Sequence, residues 1–247
     1  MLKRNILFGI LGAWFLTGCS QPYIATQVEQ SSKQASSLNA ANQDVKQAER
    51  LGTKWGDDIS SQIREVYISR VSNQPIAEAS VRYANKDYNG RAVNSISMAA
   101  GKVSFALVDD QSNPLPIYRV GQEYYLAGKP GQSYQLQYEN NTGKTFEVVA
   151  SVDGLDVFDG TQASRRNSGY VLKPYSSLNI AGFRKSEAAV ASFTFSQPSD
   201  AYAANTTSGS IKNTGIIGTV IYELKAPVQS DKPKTKYAPA PNAFPAD

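Results

Sequence analysis

The sequence predicts a mainly β protein: an antiparallel β-sandwich of jelly-roll or Ig-like kind, carried on a polar helical stalk and followed by a disordered Pro-rich tail. Three observations predict it. From Trp55 onward Val, Ile, Tyr, Phe and Thr recur in short alternating runs cut by Gly, Asn, Asp and Pro, the texture of strands and turns. No long helical pattern interrupts these runs, which argues against a parallel α/β plan. The segments on either side, 19–54 and 226–247, lack strand alternation.

The first element is a leader, residues 1–18. Lys3 and Arg4 form a positive n-region, and the run from Ile6 to Phe15 has the length of a signal h-region. A helix crossing a bilayer needs roughly 20 apolar residues, so this run is too short to span. It ends in Leu16-Thr17-Gly18-Cys19, which resembles the lipobox of bacterial lipoproteins. The resemblance implies cleavage before Cys19 and a lipid on its thiol, the best nucleophile available at neutral pH. Several acyl chains on one residue anchor stably where a single chain is marginal. Ser20 follows in place of the Asp that favours inner-membrane retention, so the expected location is the Gram-negative outer membrane.

Composition narrows the function classes. Loss of the leader leaves 23 basic against 21 acidic residues, a formal charge of +2, with no clustered basic face for nucleic acid. The chain has no His and a single Cys. That excludes Ser-His-Asp and Cys-His nucleophilic arrangements and His-ligated metals, and with Cys19 lipidated no thiol remains for a disulfide. Stability must come from a hydrophobic core, which a chain of this length can build.

The stalk, 19–54, places Ala35, Leu38, Ala41, Val45 and Ala48 at three- and four-residue steps, a thin apolar stripe on a helix that Gly52 can stop. The β domain is expected over 55–225. Its strands read as Ile63–Val71, Glu78–Tyr83, Val103–Val108, Leu115–Val120, Glu123–Ala127, SYQLQYE, KTFEVVASV, GYVLKP, SLNIAGF, VASFTFS and GIIGTVIYEL. NNTG between SYQLQYE and KTFEVVASV reads as a hairpin with its Gly at positive φ. In AAVASFTFS the face with Ala191, Phe193 and Phe195 is the core candidate, and GIIGTVIYEL, apolar on both faces, reads as a central strand. The tail, 226–247, has five prolines and too little apolar area to offset its ordering entropy.

Candidate chemistry is sparse. SVDGLDVFDG sets Asp153, Asp156 and Asp159 three residues apart beside Gly154 and Gly160. An extended chain would separate the outer two by roughly 20 Å, and the spacing misses the alternating ligands of a calcium loop. Each Asp-Gly is a turn signal, so the expectation is two turns with Leu155 and Val157 pinned to the core, the three aspartates being weak calcium candidates. No cofactor and no catalytic residue is expected, with an Asp-based glycoside hydrolase as the alternative. Tyr118, Tyr124, Tyr125, Tyr170 and Tyr175, with the basic pair Arg165 and Arg166, form the candidate binding surface, because Tyr joins a flat apolar area to a polar tip.

The run VASVDGLDVFDG…GYVLKPYSSLNIAGFRKSEAAVASFTFS…AYAANT…NTGIIGTVIYE resembles a group of uncharacterised bacterial envelope proteins that share a β domain with this Asp-Gly-Leu-Asp core. The resemblance covers roughly residues 125–224 and implies a recurring domain without an activity. The expected function is a lipid-anchored, non-catalytic binding or scaffold module for an envelope assembly. The alternative is a binding module for peptidoglycan or surface glycan, with calcium dependence as one form of it. The expected partners are therefore the membrane, through Cys19, and envelope proteins or glycan.

Overall fold

A computed structural model describes Gln43 and residues 45–225. The leader, Cys19, most of the stalk and the tail lie outside the described residues. Of the stalk helix only the last turn is described, and 45–49 are helical. Fifteen strands follow: β1 (Gly52–Ser60), β2 (Ala77–Ala84), β3 (Arg91–Val93), β4 (Ile96–Met98), β5 (Val103–Val108), β6 (Ile117–Val120), β7 (Glu123–Ala127), β8 (Ser133–Asn140), β9 (Phe146–Val152), β10 (Leu155–Asp156), β11 (Tyr170–Leu172), β12 (Ser177–Ile180), β13 (Gly182–Arg184), β14 (Ala189–Ser196) and β15 (Ile216–Glu223). Because β1 begins at Gly52, Gly52, Thr53 and Lys54 belong to the sheet and not to the stalk.

The strands form two sheets, consistent with a β-sandwich. Sheet one runs β1-β14-β8-β5-β4, with β12 also on β8 and β13 on β14; sheet two runs β10-β9-β15-β2-β7-β6-β3, with β11 also on β9. Period-two alternation decides what each sheet buries. From β8 and β14, Tyr134, Leu136, Tyr138, Phe193 and Phe195 point inward; from β2, β9 and β15, Val81, Tyr83, Val148, Val152, Ile217 and Ile221 meet them in one core. A fully buried Phe or Ile contributes about 2–3 kcal/mol by leaving water, which makes this layer the main source of stability. Tyr138 also donates across the sandwich to Thr219 Oγ1 at 3.0 Å.

Four expectations are corrected. The sandwich is mixed, since β2 and β7 pair in parallel through Val81–Tyr124 to Ala84–Ala127. The strands between them in sequence take the chain into sheet one and back, so no hairpin forces β2 and β7 to oppose. NNTG is not a hairpin either, because β8 lies in sheet one and β9 in sheet two. The buried Asn140 holds that crossover, with Nδ2 donating to the carbonyls of Lys144 (2.7 Å) and Lys173 (2.8 Å) and Oδ1 accepting from Thr142 N–H (2.9 Å). Ile63–Val71 forms no strand, for the chain there passes from the start of β14 to the end of β15. Finally, β15 is central as expected, but its outer face is buried only at Tyr222, beneath Arg70; Ile216, Gly218 and Val220 on that face remain half-exposed.

Candidate functional site

The Asp-rich stretch is built from turns. Asp153 and Gly154 both have positive φ, +54° and +78°, and join the paired residues Val152 and Leu155 in a two-residue hairpin. Leu155 and Val157 are buried, as their parity requires. What the sequence does not reveal is that Asp153 itself is buried. Its Oδ1 accepts from Tyr83 OH at 2.6 Å and from Gly215 N–H at 2.8 Å, and its Oδ2 from Thr53 N–H at 2.7 Å. Thr53 Oγ1 lies 2.8 Å from both Tyr83 OH and Tyr134 OH. Since Tyr83 gives its one hydrogen to the carboxylate, Thr53 must donate to Tyr83 and Tyr134 to Thr53. Burial pushes the Asp153 carboxyl up to about 6, against the opposing pull of its four donors. Burial and then the Asp153 charge hold the Tyr83 and Tyr134 phenols well above their usual range.

The other two aspartates work alone. Asp156 Oδ1 accepts from Phe158 N–H (2.7 Å) and Oδ2 from Asn167 Nδ2 (3.0 Å), and burial raises its carboxyl. The exposed Asp159 takes both the N–H and the hydroxyl of Thr161. Each carboxylate thus faces its own set of hydrogens, which offers a cation no shared oxygen cage. Among the described residues no group of three or more acidic, His or Cys side chains could hold a metal ion. The weak calcium candidates are therefore not brought together.

The open place is the outer face of sheet two. Ser80 of β2, Gly218 of β15 and Ser151 of β9 stand in register, a row of small residues across three strands. The neighbouring rows, Glu78–Val220–Val149 and Arg82–Ile216, lie about 7 Å away along the strands and rise above it. The result is a trench of about 490 Å³, walled by Gln122 and Glu123 on one side and Ser164 and Arg165 on the other. Arg165 Nη2 pairs with Glu78 Oε2 at 2.7 Å, and Arg82 Nε with Glu123 Oε2 at 3.3 Å. Such exposed pairs are worth under about 1 kcal/mol, so either can open to a ligand at little cost.

The wall loop is held rigidly from beneath. Arg70 forms an ion pair with Glu147, donates to the carbonyls of Arg165 (3.1 Å) and Asn167 (2.6 Å), and lies 3.8 Å over the Tyr222 ring. Tyr222 OH donates to the same Arg165 carbonyl at 2.8 Å. Sequence reasoning missed Arg70 and Glu147, and their distance apart along the chain leaves no local signal.

The tyrosines divide. Tyr118 and Tyr125 pair on neighbouring strands and are joined by Tyr88, whose ring stacks on Tyr125 at 4.9 Å and lies 6.3 Å from Tyr118. Tyr125 OH reaches Glu123 Oε2 at 3.3 Å, which links this cluster to the trench wall. Tyr88 was missed, although an aromatic in the polar turn KDYNG is itself a signal. Tyr170 is corrected to a core residue, 9% exposed, because its strand β11 packs inward against β9. Tyr124 shares the inward side with Val81 and packs against the core. Tyr175 is exposed, but on the turn beside Gly143 and apart from the cluster. Arg165 lines the trench; Arg166 is exposed on the same loop.

Comparison with protein families, with curated proteins and with solved structures finds no match. The site must speak through its own chemistry. Its lining offers paired guanidinium and carboxylate groups, three serine hydroxyls and a flat aromatic neighbour, a set that binds polar chains. Its carboxylates are each engaged, Glu78 and Glu123 by arginines and Asp156 by its loop.

Proposed function

We propose that this chain is a lipid-anchored, non-catalytic binding module of the bacterial cell envelope whose trench takes an extended polar ligand, a glycan strand of peptidoglycan or of the surface. The Ser80–Gly218–Ser151 trench carries the reading. It lies on the open face of the sheet, so a polar chain can reach it from solvent. Neighbouring hydroxyls on a sugar suit a guanidinium–carboxylate pair, which offers donors and acceptors side by side. The Tyr88–Tyr125–Tyr118 cluster supplies the flat face against which a ring can rest. Anchoring at Cys19 and an outer-membrane location rest on the Leu-Thr-Gly-Cys motif and Ser20.

Co-sedimentation with purified peptidoglycan and with surface glycan tests this. The wild-type chain pellets with at least one of them. Ser80→Tyr fills the trench from an exposed strand position and lowers the pelleted fraction about tenfold, equivalent to about 1.4 kcal/mol, with an unchanged melting temperature. Tyr125→Ala weakens pelleting less. A wild-type chain that stays in the supernatant with both glycans, or a Ser80→Tyr variant that pellets normally, would overturn the reading in favour of a protein occupant.

A further inference from the structure

The trench continues past its own walls. Beside the Ser80–Gly218–Ser151 row, where Arg82 and Ile216 pair, a second hollow of about 410 Å³ opens. It shares Ser151 and Gly218 with the trench, so the two are continuous. The rest of its lining is Gly154 of the β9–β10 turn and Lys212, Asn213 and Thr214 of the loop before β15. Turn and loop lie against each other, since a Cβ on Gly154 would stand 2.8 Å from Asn213 Nδ2.

The two hollows differ in charge. The trench sets Glu78, Glu123 and Asp156 against one cation, Arg165. The second hollow has Arg82 and Lys212 and no carboxylate. Lys212 enters no ion pair among the described residues. Arg82 meets Glu123 through Nε, which leaves Nη1 and Nη2 without a partner among the described residues. Asp153 precedes Gly154, but its carboxylate faces inward to Tyr83 OH and the N–H groups of Thr53 and Gly215. The loop that carries Lys212 is held in place. Arg50 Nη2 donates to the Ile211 carbonyl (3.1 Å) and to Thr214 Oγ1 (3.3 Å), and Ser210 Oγ accepts from Lys212 N–H (3.3 Å). Arg50 thereby brings a third positive charge beside the hollow.

Free donors on two cations, with no acid among them, are the complement of an anion. The edge of a guanidinium takes a carboxylate through two parallel bonds, and an ammonium adds a point charge. We propose that the strand in the trench is acidic and that this hollow takes a carboxylate it bears, held by Arg82 and Lys212. The inference rests on the trench reading and names the class of glycan: a strand with carboxylates on its sugars or their substituents.

Co-sedimentation with each glycan, native and after carbodiimide coupling to ammonia, tests it, since that coupling turns carboxylates into neutral primary amides. The wild-type chain pellets about tenfold less with the amidated form, the effect of losing charge-assisted bonds. Lys212→Gln pellets with native glycan as weakly as the wild type does with amidated glycan, and amidation changes it no further. Lys212→Arg keeps the wild-type discrimination. Lys102→Gln removes an equal charge from the turn between β4 and β5, on the other sheet, and behaves as the wild type. Melting temperatures stay constant, because both lysines are exposed. Equal pelleting with native and amidated glycan overturns the proposal, and the trench reading stands without it if Ser80→Tyr still releases the chain. Discrimination that survives in Lys212→Gln also overturns it, as does a loss in Lys102→Gln of the same size, which would make the effect one of net charge. A wild-type chain that pellets with neither native glycan overturns both readings.

Discussion

Asp153 carries its carboxylate into the interior with uncharged partners: a phenol and three main-chain N–H groups. The chain Tyr134–Thr53–Tyr83–Asp153 ties β1, β2, β8 and the start of β15 to one carboxylate. An unfolded aspartate titrates near about 3.9 and the buried one at about 6, so the folded state binds the proton more tightly. The stabilising contribution is then complete below about pH 4 and is lost as pH rises through about 6. The difference between the two states corresponds to about 3 kcal/mol, and Asp156, also raised, acts in the same direction. Melting temperature should therefore fall between pH 4 and pH 6.5 on account of this residue, and Asp153→Asn should flatten that part of the profile. Tyr83→Phe removes a donor that favours the charged form, so it should cost about 2 kcal/mol at neutral pH and less at pH 4. Equal losses at both would show that the carboxylate does not titrate there. The Asp-Gly turn was legible in the sequence. The burial of its Asp was not, because Thr53, Tyr83 and Gly215 lie far away along the chain.

At the scale of elements, local pattern fixes strands and leaves their neighbours open. β5 and β7 match the expected runs to the residue. β3, β4 and β10 are too short for a pattern to emerge. Asn and Gly in NNTG promised a hairpin, yet the decisive contacts are those of Asn140 with Lys144 and Lys173, which hold a crossing between sheets. The trench was hidden for a related reason. Ser80, Ser151 and Gly218 are ordinary singly and become a site only through register. One glycine of sheet one shows how closely neighbouring strands are held. A Cβ on Gly182 in β13 would lie 1.9 Å from the carbonyl oxygen of Ala191 in β14, a backbone atom that cannot turn aside. Gly182→Ala should push β13 away from β14 and destabilise the fold by more than about 3 kcal/mol, the cost of a clash in a packed interior. Gly121→Ala is the control, with a positive φ and open space around it, and should cost about 1 kcal/mol of backbone strain. Urea unfolding of the pair measures both, and similar losses would mean that the β13–β14 contact yields.

At the scale of the molecule, the question is whether the two sheets melt as one body. They share an apolar core and are also pinned by hydroxyl contacts: Thr53 with Tyr134 and Tyr83 at one place, Tyr138 with Thr219 at another. The two pins differ in character. The first ends on a carboxylate and varies with pH. The second is neutral, and burial holds the Tyr138 phenol protonated far above its usual range. Tyr138→Phe leaves the Thr219 oxygen without its donor, and Thr219→Val leaves a buried phenol without an acceptor, each costing about 1–2 kcal/mol. The double variant removes both needs while keeping shape, so it should lie within about 1 kcal/mol of the wild type, well short of the sum of the single losses. Urea unfolding should give that non-additivity with one transition and an unchanged slope, at acid and at neutral pH alike. Additive losses would place the sheets' coupling in the apolar layer alone. Two separate transitions would mean that the sheets unfold independently, and the trench on sheet two would then depend on its own strands and on the Arg70 clamp beneath its wall.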